Sequence, residues 1–342
     1  MPAPAFRLTL SGADITTRIA DRLISLTLTD NRGFEADTLE LDLDDTDDGL
    51  ALPPRGARIT LALGWDNAPL EDKGSYLVDE VEHSGTPDHI TLRARSADLR
   101  SGLTTKRERS WHGNTLGDIV RSLAAANGLT PLISAALDTT AIEHIDQTDE
   151  SDINLLSRLA TELDAIATVK AGRLLFIHAG AATTASGQTL PAVTLTRADG
   201  DNHRYSIADR AGYTAVKANY HDTKDAAQKH ILVGSETISS DDASPHEPSA
   251  GNTKTLRHIY ASKTNAERAA KAEWTRIQRG VAEFSISLAT ARPDIFPELP
   301  IAVSGFKPEI DQAQWTATRV THKLSSSGFT TDLDLEYKPD TP

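Results

Sequence analysis

Apolar residues recur at every second position along most of this chain. Phe6, Leu8 and Leu10 form one such set, and Ile24, Leu26 and Leu28 a second. Leu39, Leu41 and Leu43, then Ile59, Leu61 and Leu63, then Ile90, Leu92 and Ala94 continue the pattern. A period of two places alternate side chains on opposite faces of a strand, one face on a core and one in water. Turn chemistry separates the runs at Asn31-Arg32-Gly33, Asp47-Asp48-Gly49, Pro53-Pro54-Arg55-Gly56 and Gly85-Thr86-Pro87-Asp88. The pattern returns with Val193 and Leu195, Tyr213 to Tyr220, Ile231 to Val233, and Phe284, Ile286 and Leu288. Two long strands close the chain, Trp315 to Leu324 and Phe329 to Tyr337, the last with Asp332, Asp334 and Glu336 on one face. Many short strands at this spacing suggest barrels or sandwiches.

Three segments break the period and read as helices. Thr115 with Asp118 resembles a capping box, Leu116, Ile119, Val120 and Leu123 supply an apolar stripe, and Asn127-Gly128 supplies a stop, so a helix is expected over about 115–126. Ser151 can cap a second helix, with Asp152 in its first turn meeting the positive end of the backbone dipole. Its stripe is Ile153, Leu156, Leu159, Ala160 and Leu163. Burying the four large members contributes roughly 6–12 kcal/mol before entropy, so the helix should be docked. After Leu163 the pattern turns extended, and Gly172 can take the positive φ of a tight hairpin before Leu174 to Ile177. A third helix is expected from about Thr264 to Arg279, with Glu267 placed to complete a cap and Gly280 as its end. Residues 179–188 read as a linker, and 239–253, rich in Ser, Asp, Pro and Gly, as a long mobile loop.

The fold class expected is mainly β with an α+β insert: two related β-barrel domains, tube-like by the resemblance described below, flanking a small α+β region. The expected divisions are a first barrel at residues 1–99, a helical α+β subdomain at 100–146, a helix and hairpin at 147–188, and a second barrel with one helix (264–279) at 189–342.

Composition narrows the chemistry more than it adds to it. The chain has 342 residues, 39% hydrophobic and 25% charged, ordinary for globular protein. No apolar run reaches the eighteen or so residues of a membrane helix, and Met1-Pro2-Ala3-Pro4-Ala5-Phe6 carries no signal-peptide pattern. With no cysteine, disulfides, thiolate metal sites and thiol nucleophiles are excluded. A formal charge of −14 repels a phosphate backbone, so sequence-specific nucleic-acid binding is not expected. Asp42 to Gly49 alternates carboxylates before a glycine, yet a calcium-loop register would put Arg55 where a bidentate Glu belongs. No nucleophile elbow, phosphate loop, dinucleotide fingerprint or zinc helix occurs. His178, His221, His230, His258 and His322 are scattered without metal-ligand spacing. Trp111 and His112, ahead of the first helix, read as a packing anchor. No catalytic residue, cofactor or metal ligand is assigned.

Certain segments, in their order, resemble the phage late control protein D family, the baseplate hubs of contractile tails and of phage-tail-like bacteriocins. They are Gly74 with Tyr76 to Val81, Ala94 to Leu99, Lys106 to Ser110, and Thr115 to Val120. They continue with Gln147, Glu150 to Asp152, Asn154 to Ala160, Lys170, Gly172 and Leu174 to Phe176. Trp315, Thr318 to His322 and Gly328 to Thr331 complete them. The hub part of type VI secretion spike proteins looks similar around the second helix. The resemblance implies a structural homotrimer whose two barrels per chain make a pseudo-sixfold ring, with a tail tube protein on one side, a central spike protein on the other, and other baseplate proteins around it. It implies no catalysis, no cofactor and no membrane insertion, a place in the virion or particle tail, and synthesis in the host bacterial cytoplasm. Asp152, Asn154 and Arg158, on the polar side of the second helix, are then expected intersubunit contacts. The acidic face of the last strand is expected to line a channel. A monomeric carbohydrate- or protein-binding β module and a cell-wall hydrolase are the competing readings.

Overall fold

The computed structural model describes residues 2–97, 102–207, 213–222, 225–234 and 252–338. The expected loop residues 239–251 lie outside these.

The alternation becomes strands with one dry face. Leu39, Leu41 and Leu43 on strand Thr38–Asp44, Ile59, Leu61 and Leu63 on Arg58–Trp65, and Ile90 and Leu92 on His89–Ser96 are all buried in one apolar cluster. Ile24 departs from its set: it is 48% exposed although Leu26 and Leu28 are buried. Strand Leu23–Asn31 shifts register against Thr38–Asp44 between Leu23 and Ser25, and such an extra residue reverses which face a side chain takes.

Two strand-rich blocks surround separate apolar clusters, one from the first hundred residues and one from Leu195 and residues 282 to 335. Hydrogen bonding nonetheless makes them one sheet. Strand Trp315–Ser325 pairs with the last strand, Gly328–Tyr337, on one side and with Leu23–Asn31 on the other, Arg319 opposite Asn31 through Ser325 opposite Ser25. Among the described residues the result is a thirteen-stranded sheet: eleven strands follow an open path from Gly200–Ile207 to Pro4–Leu10 with the short Ala13–Asp14, and Val193–Thr196 and Pro300–Ser304 branch from it, the latter pairing with the start of Trp315–Ser325.

Between the blocks lies the α+β unit. Helix Leu116–Ala126 has the expected capping box of Thr115 and Asp118, and in helix Asp152–Glu162 the Ser151 hydroxyl accepts from the Asn154 amide. Leu155, missing from the predicted stripe, is fully buried beside Leu156 and Leu159, while Ile153 is only partly covered. The strands Ala165–Lys170 and Arg173–His178 form a hairpin closed by Ala171 and Gly172, both at positive φ (50° and 71°), as a two-residue primed turn requires. Thr130–Ile133 adds to it in parallel. Residues from Leu103 to Phe176 share one core, against which Trp111 packs.

A second small unit stands apart from the large sheet. Strands Tyr213–Asp222, Ala227–Gly234 and Asn252–Tyr260 make their own sheet, backed by helix Lys263–Arg279 through Ala266, Ala269 and Ala270. The cap of this helix is Ser262, whose hydroxyl accepts from the Asn265 amide; Glu267 instead pairs with Lys271 one turn on.

Charged struts join these parts. Arg32, in a turn of the first block, contacts Glu298 and lies 2.5 Å from Glu336 of the last strand. Arg279, ending the long helix, binds Asp164 at the end of the central helix (2.7 Å) and approaches Glu336 (3.5 Å). Glu298 also accepts from the Gly180 amide at 2.9 Å. Burial pushes the Glu298 carboxyl up, against the pull of Arg32. Nearby, Lys170 bridges Asp30 (2.7 Å) and Asp37 (2.5 Å), and Thr168 donates to the Gly33 carbonyl at 2.6 Å, pinning the central hairpin to the first block. Burial lifts Asp37 to about 6 although Lys170 opposes it. Replacing Arg32 with Ala leaves Glu298, 11% exposed, without its cation. Arg32→Ala should therefore cost about 3 kcal/mol, read as a lower urea midpoint, whereas Arg22→Ala, at an exposed pair, should leave the midpoint nearly unchanged.

Candidate functional site

The residues singled out on the second helix occupy three different environments. Asp152 has no accessible surface: it accepts from Gln147 Nε2 (2.8 Å) and Asn127 Nδ2 (3.0 Å) and is flanked by Arg109 (3.4 Å) and Arg107 (3.7 Å). Its carboxylate is committed inside the chain, tying strand Lys106–Thr115 to the helix from beneath rather than offering itself to a partner. Asn154 is exposed. Arg158 is half-buried, donating to Glu150 (2.7 Å) and to the Asp146 carbonyl (2.8 Å), and its bond to Glu150 raises its pKa.

Arg158 lies on the wall of a cleft of about 490 Å³ between the central unit and the second small unit. Glu143, His144 and Asp146 come from strand Ala141–Ser151, Glu162 from the central helix, and His258, Ile259 and Arg268 from the opposite side. Groups at its base are pushed toward their neutral forms by burial: Glu162 upward, Arg268 downward, and Tyr260 up to about 12. Ile259 is 52% exposed at the mouth. A second groove, about 590 Å³, crosses the large sheet and is lined by Arg32, Arg204, Arg319, Glu283, Asp334 and Glu336 among others. The acidic face of the last strand is thus met by cations: Lys323 bridges Asp332 at 2.7 Å, Arg319 stands opposite Asp334 in the ladder, and Arg32 holds Glu336. In the acidic loop, Asp47 is bound by Arg22, and Asp44 and Asp45 accept from the amides of Thr46 and Leu50. Those carboxylates organise a turn.

Comparison with known proteins decides what kind of molecule carries these surfaces. The family model described as phage tail baseplate hub (GPD) matches residues 31–328. The chain belongs to the phage tail baseplate hub family. A probable baseplate hub protein of Escherichia phage 186 is 49% identical over 363 residues, covering 98% of this chain and 93% of that one. Among solved structures, a tail protein from Neisseria meningitidis superposes with a TM-score of 0.69 at 14% identity, over 98% of this chain and 96% of that chain. A type VI secretion component of E. coli, the c3393 protein, described as similar in structure to the bacteriophage T4 tail proteins gp27 and gp5, gives 0.55 at 12% identity over 97% and 79%. The mainly β architecture is accordingly that of phage tail and type VI secretion proteins, and the chain is a baseplate hub of a phage tail.

One large perturbation in the hub chain is internal. His322, on strand Trp315–Ser325, is fully buried; its Nδ1 lies 2.9 Å from the Thr331 hydroxyl, and burial, reinforced by Lys73, lowers its pKa to about 3. The sequence placed His322 on a late strand without marking it as buried, and the only local signal is its place between Val320 and Leu324 in an alternating run. Because the folded pKa is depressed, its neutral state contributes stability in full above about pH 6.5, lost progressively as pH falls toward 3. The wild type should lose up to about 1.4 kcal/mol per pH unit more than His322→Gln below pH 6.5. Paired urea titrations at pH 7 and pH 4.5 check this; Asp37, with the opposite sign, is present in both proteins and cancels.

Proposed function

We propose that this hub chain works by assembly rather than catalysis, as a homotrimer whose two strand-rich blocks supply six positions of a ring between the tail tube and the central spike. The observation that carries the reading is the large sheet itself. It joins both blocks through one internal pairing, Leu23–Asn31 with Trp315–Ser325, and leaves strand edges at its two ends. An exposed edge invites another strand, and pairing between neighbouring copies would cover both ends while repeating the internal joint. Two apolar side chains sit at one end: Ile207, 61% exposed, and Val281, 42% exposed, the neighbour of Ile207's ladder partner Ala282. Tube-like closure of each block and its contacts with tube, spike and other baseplate proteins belong to the same reading. Asn154 and Arg158 remain the intersubunit candidates of the central helix, with Asp152 shaping that surface from below.

Light scattering on the purified chain should give three times 36.8 kDa, at least when the spike protein is present. Ile207→Asp should shift it to the monomer without lowering the urea midpoint, since the side chain is already largely in water. Arg158→Ala should weaken trimerisation; unchanged assembly would confine Arg158 to packing. A chain that stays monomeric with both spike and tube proteins would contradict the ring.

A further inference from the structure

The ribbon formed by Lys106–Thr115 and Ala141–Ser151 carries a pair of facing histidines. His112 and His144 stand directly opposite each other in the ladder. Their rings stack with centroids 4.5 Å apart and planes 28° from parallel, and the two Nδ1 atoms face each other at 3.0 Å. The other nitrogen of His144, Nε2, lies 3.0 Å from Asp146 Oδ2, and the Ser110 hydroxyl donates to the second oxygen of that carboxylate at 2.6 Å. Both rings are solvent-accessible, His144 with half its side chain exposed.

A carboxylate bonded to one ring nitrogen of a histidine fixes the tautomer: Nε2 carries the proton, and Nδ1 presents a lone pair. That lone pair points at the Nδ1 of a second imidazole. Without a cation, His112 must supply a proton to satisfy the contact. Moving the His112 proton to its own Nε2, where water can accept it, turns the two Nδ1 atoms into a matched pair of donors.

We infer that His112 and His144 form a two-nitrogen chelate for a borderline divalent transition ion, with Asp146 orienting His144. At metal–nitrogen distances of about 2.0–2.1 Å, a 3.0 Å separation subtends about 95° at the metal. That is nearer the right angle between neighbouring ligands in square-planar or octahedral sites than the tetrahedral angle, so the geometry suits nickel or copper better than zinc. Among the described residues no set of three or more His, Asp or Glu side chains is placed to hold a metal ion, so the other coordination positions fall to water. His221 and His258, lining the adjacent cleft, are the natural controls.

The test is calorimetric titration of the untagged full chain with Ni²⁺ near neutral pH. One saturable equivalent per chain is expected. His112→Gln and His144→Gln should each weaken it at least tenfold, and His221→Gln and His258→Gln should leave it unchanged. Asp146→Asn should weaken it about tenfold or more, as loss of an outer carboxylate does. Since both rings are exposed, thermal melts of the variants should match the parent. Absence of saturable binding, or binding that survives both single substitutions at the ribbon, would overturn the assignment; an unaltered affinity in Asp146→Asn would remove the part given to Asp146.

Discussion

The structure depends on one pairing, that of strand Trp315–Ser325 with Leu23–Asn31. These strands lie almost three hundred residues apart, and closing so long a loop carries an entropic cost. The cost is offset where the pairing is made. Leu324 and Phe329 enter the first block's core, while Val320 and Leu333 belong to the second's, so one hairpin is buried in both. Trp65 of the first block packs against Phe329 at 5.4 Å, and its indole N–H donates to the Ala291 carbonyl at 3.2 Å.

Charge then fixes what burial leaves adjustable. Apolar contact is non-directional and tolerates sliding between units. Arg32 binding Glu298 and Glu336, Arg279 binding Asp164, and Lys170 binding Asp30 and Asp37 act between different parts of the chain. Each pair is partly or wholly removed from water, where a wrong register would strand a charge. The same economy explains the cleft beside the central helix, whose ionisable groups face one another without being fully paired.

How much of this was legible in the sequence follows the range of each interaction. The strands with Leu39, Leu41 and Leu43, the Thr115–Asp118 capping box, the Ser151 cap and the Ala171-Gly172 turn are local, and the chain displays them within a few residues. The joint between blocks is not local: alternation marks Trp315 to Leu324 as a strand but says nothing of its partner. Arg32 read as turn chemistry because Asn31-Arg32-Gly33 is a turn, and its second role exists only once Glu298 and Glu336 arrive. Asp152 read as a surface charge complementing the helix dipole, and only the convergence of Gln147, Asn127, Arg107 and Arg109 makes it a buried strut. Ile24 failed because a bulge shifts parity, which period counting cannot see. The family was legible because it rests on the order of many weak segments.

The claim at the centre, that the two blocks are one cooperative body joined through this strand pair, is open to native-state hydrogen exchange. Amides of Leu23–Asn31 and Trp315–Ser325 that bond across the joint should open with the same free energy as the amides inside Thr38–Asp44 and Gly328–Tyr337. If the joint amides exchange at much lower free energy while both blocks stay protected, the blocks are independent barrels in loose contact, and the account is wrong.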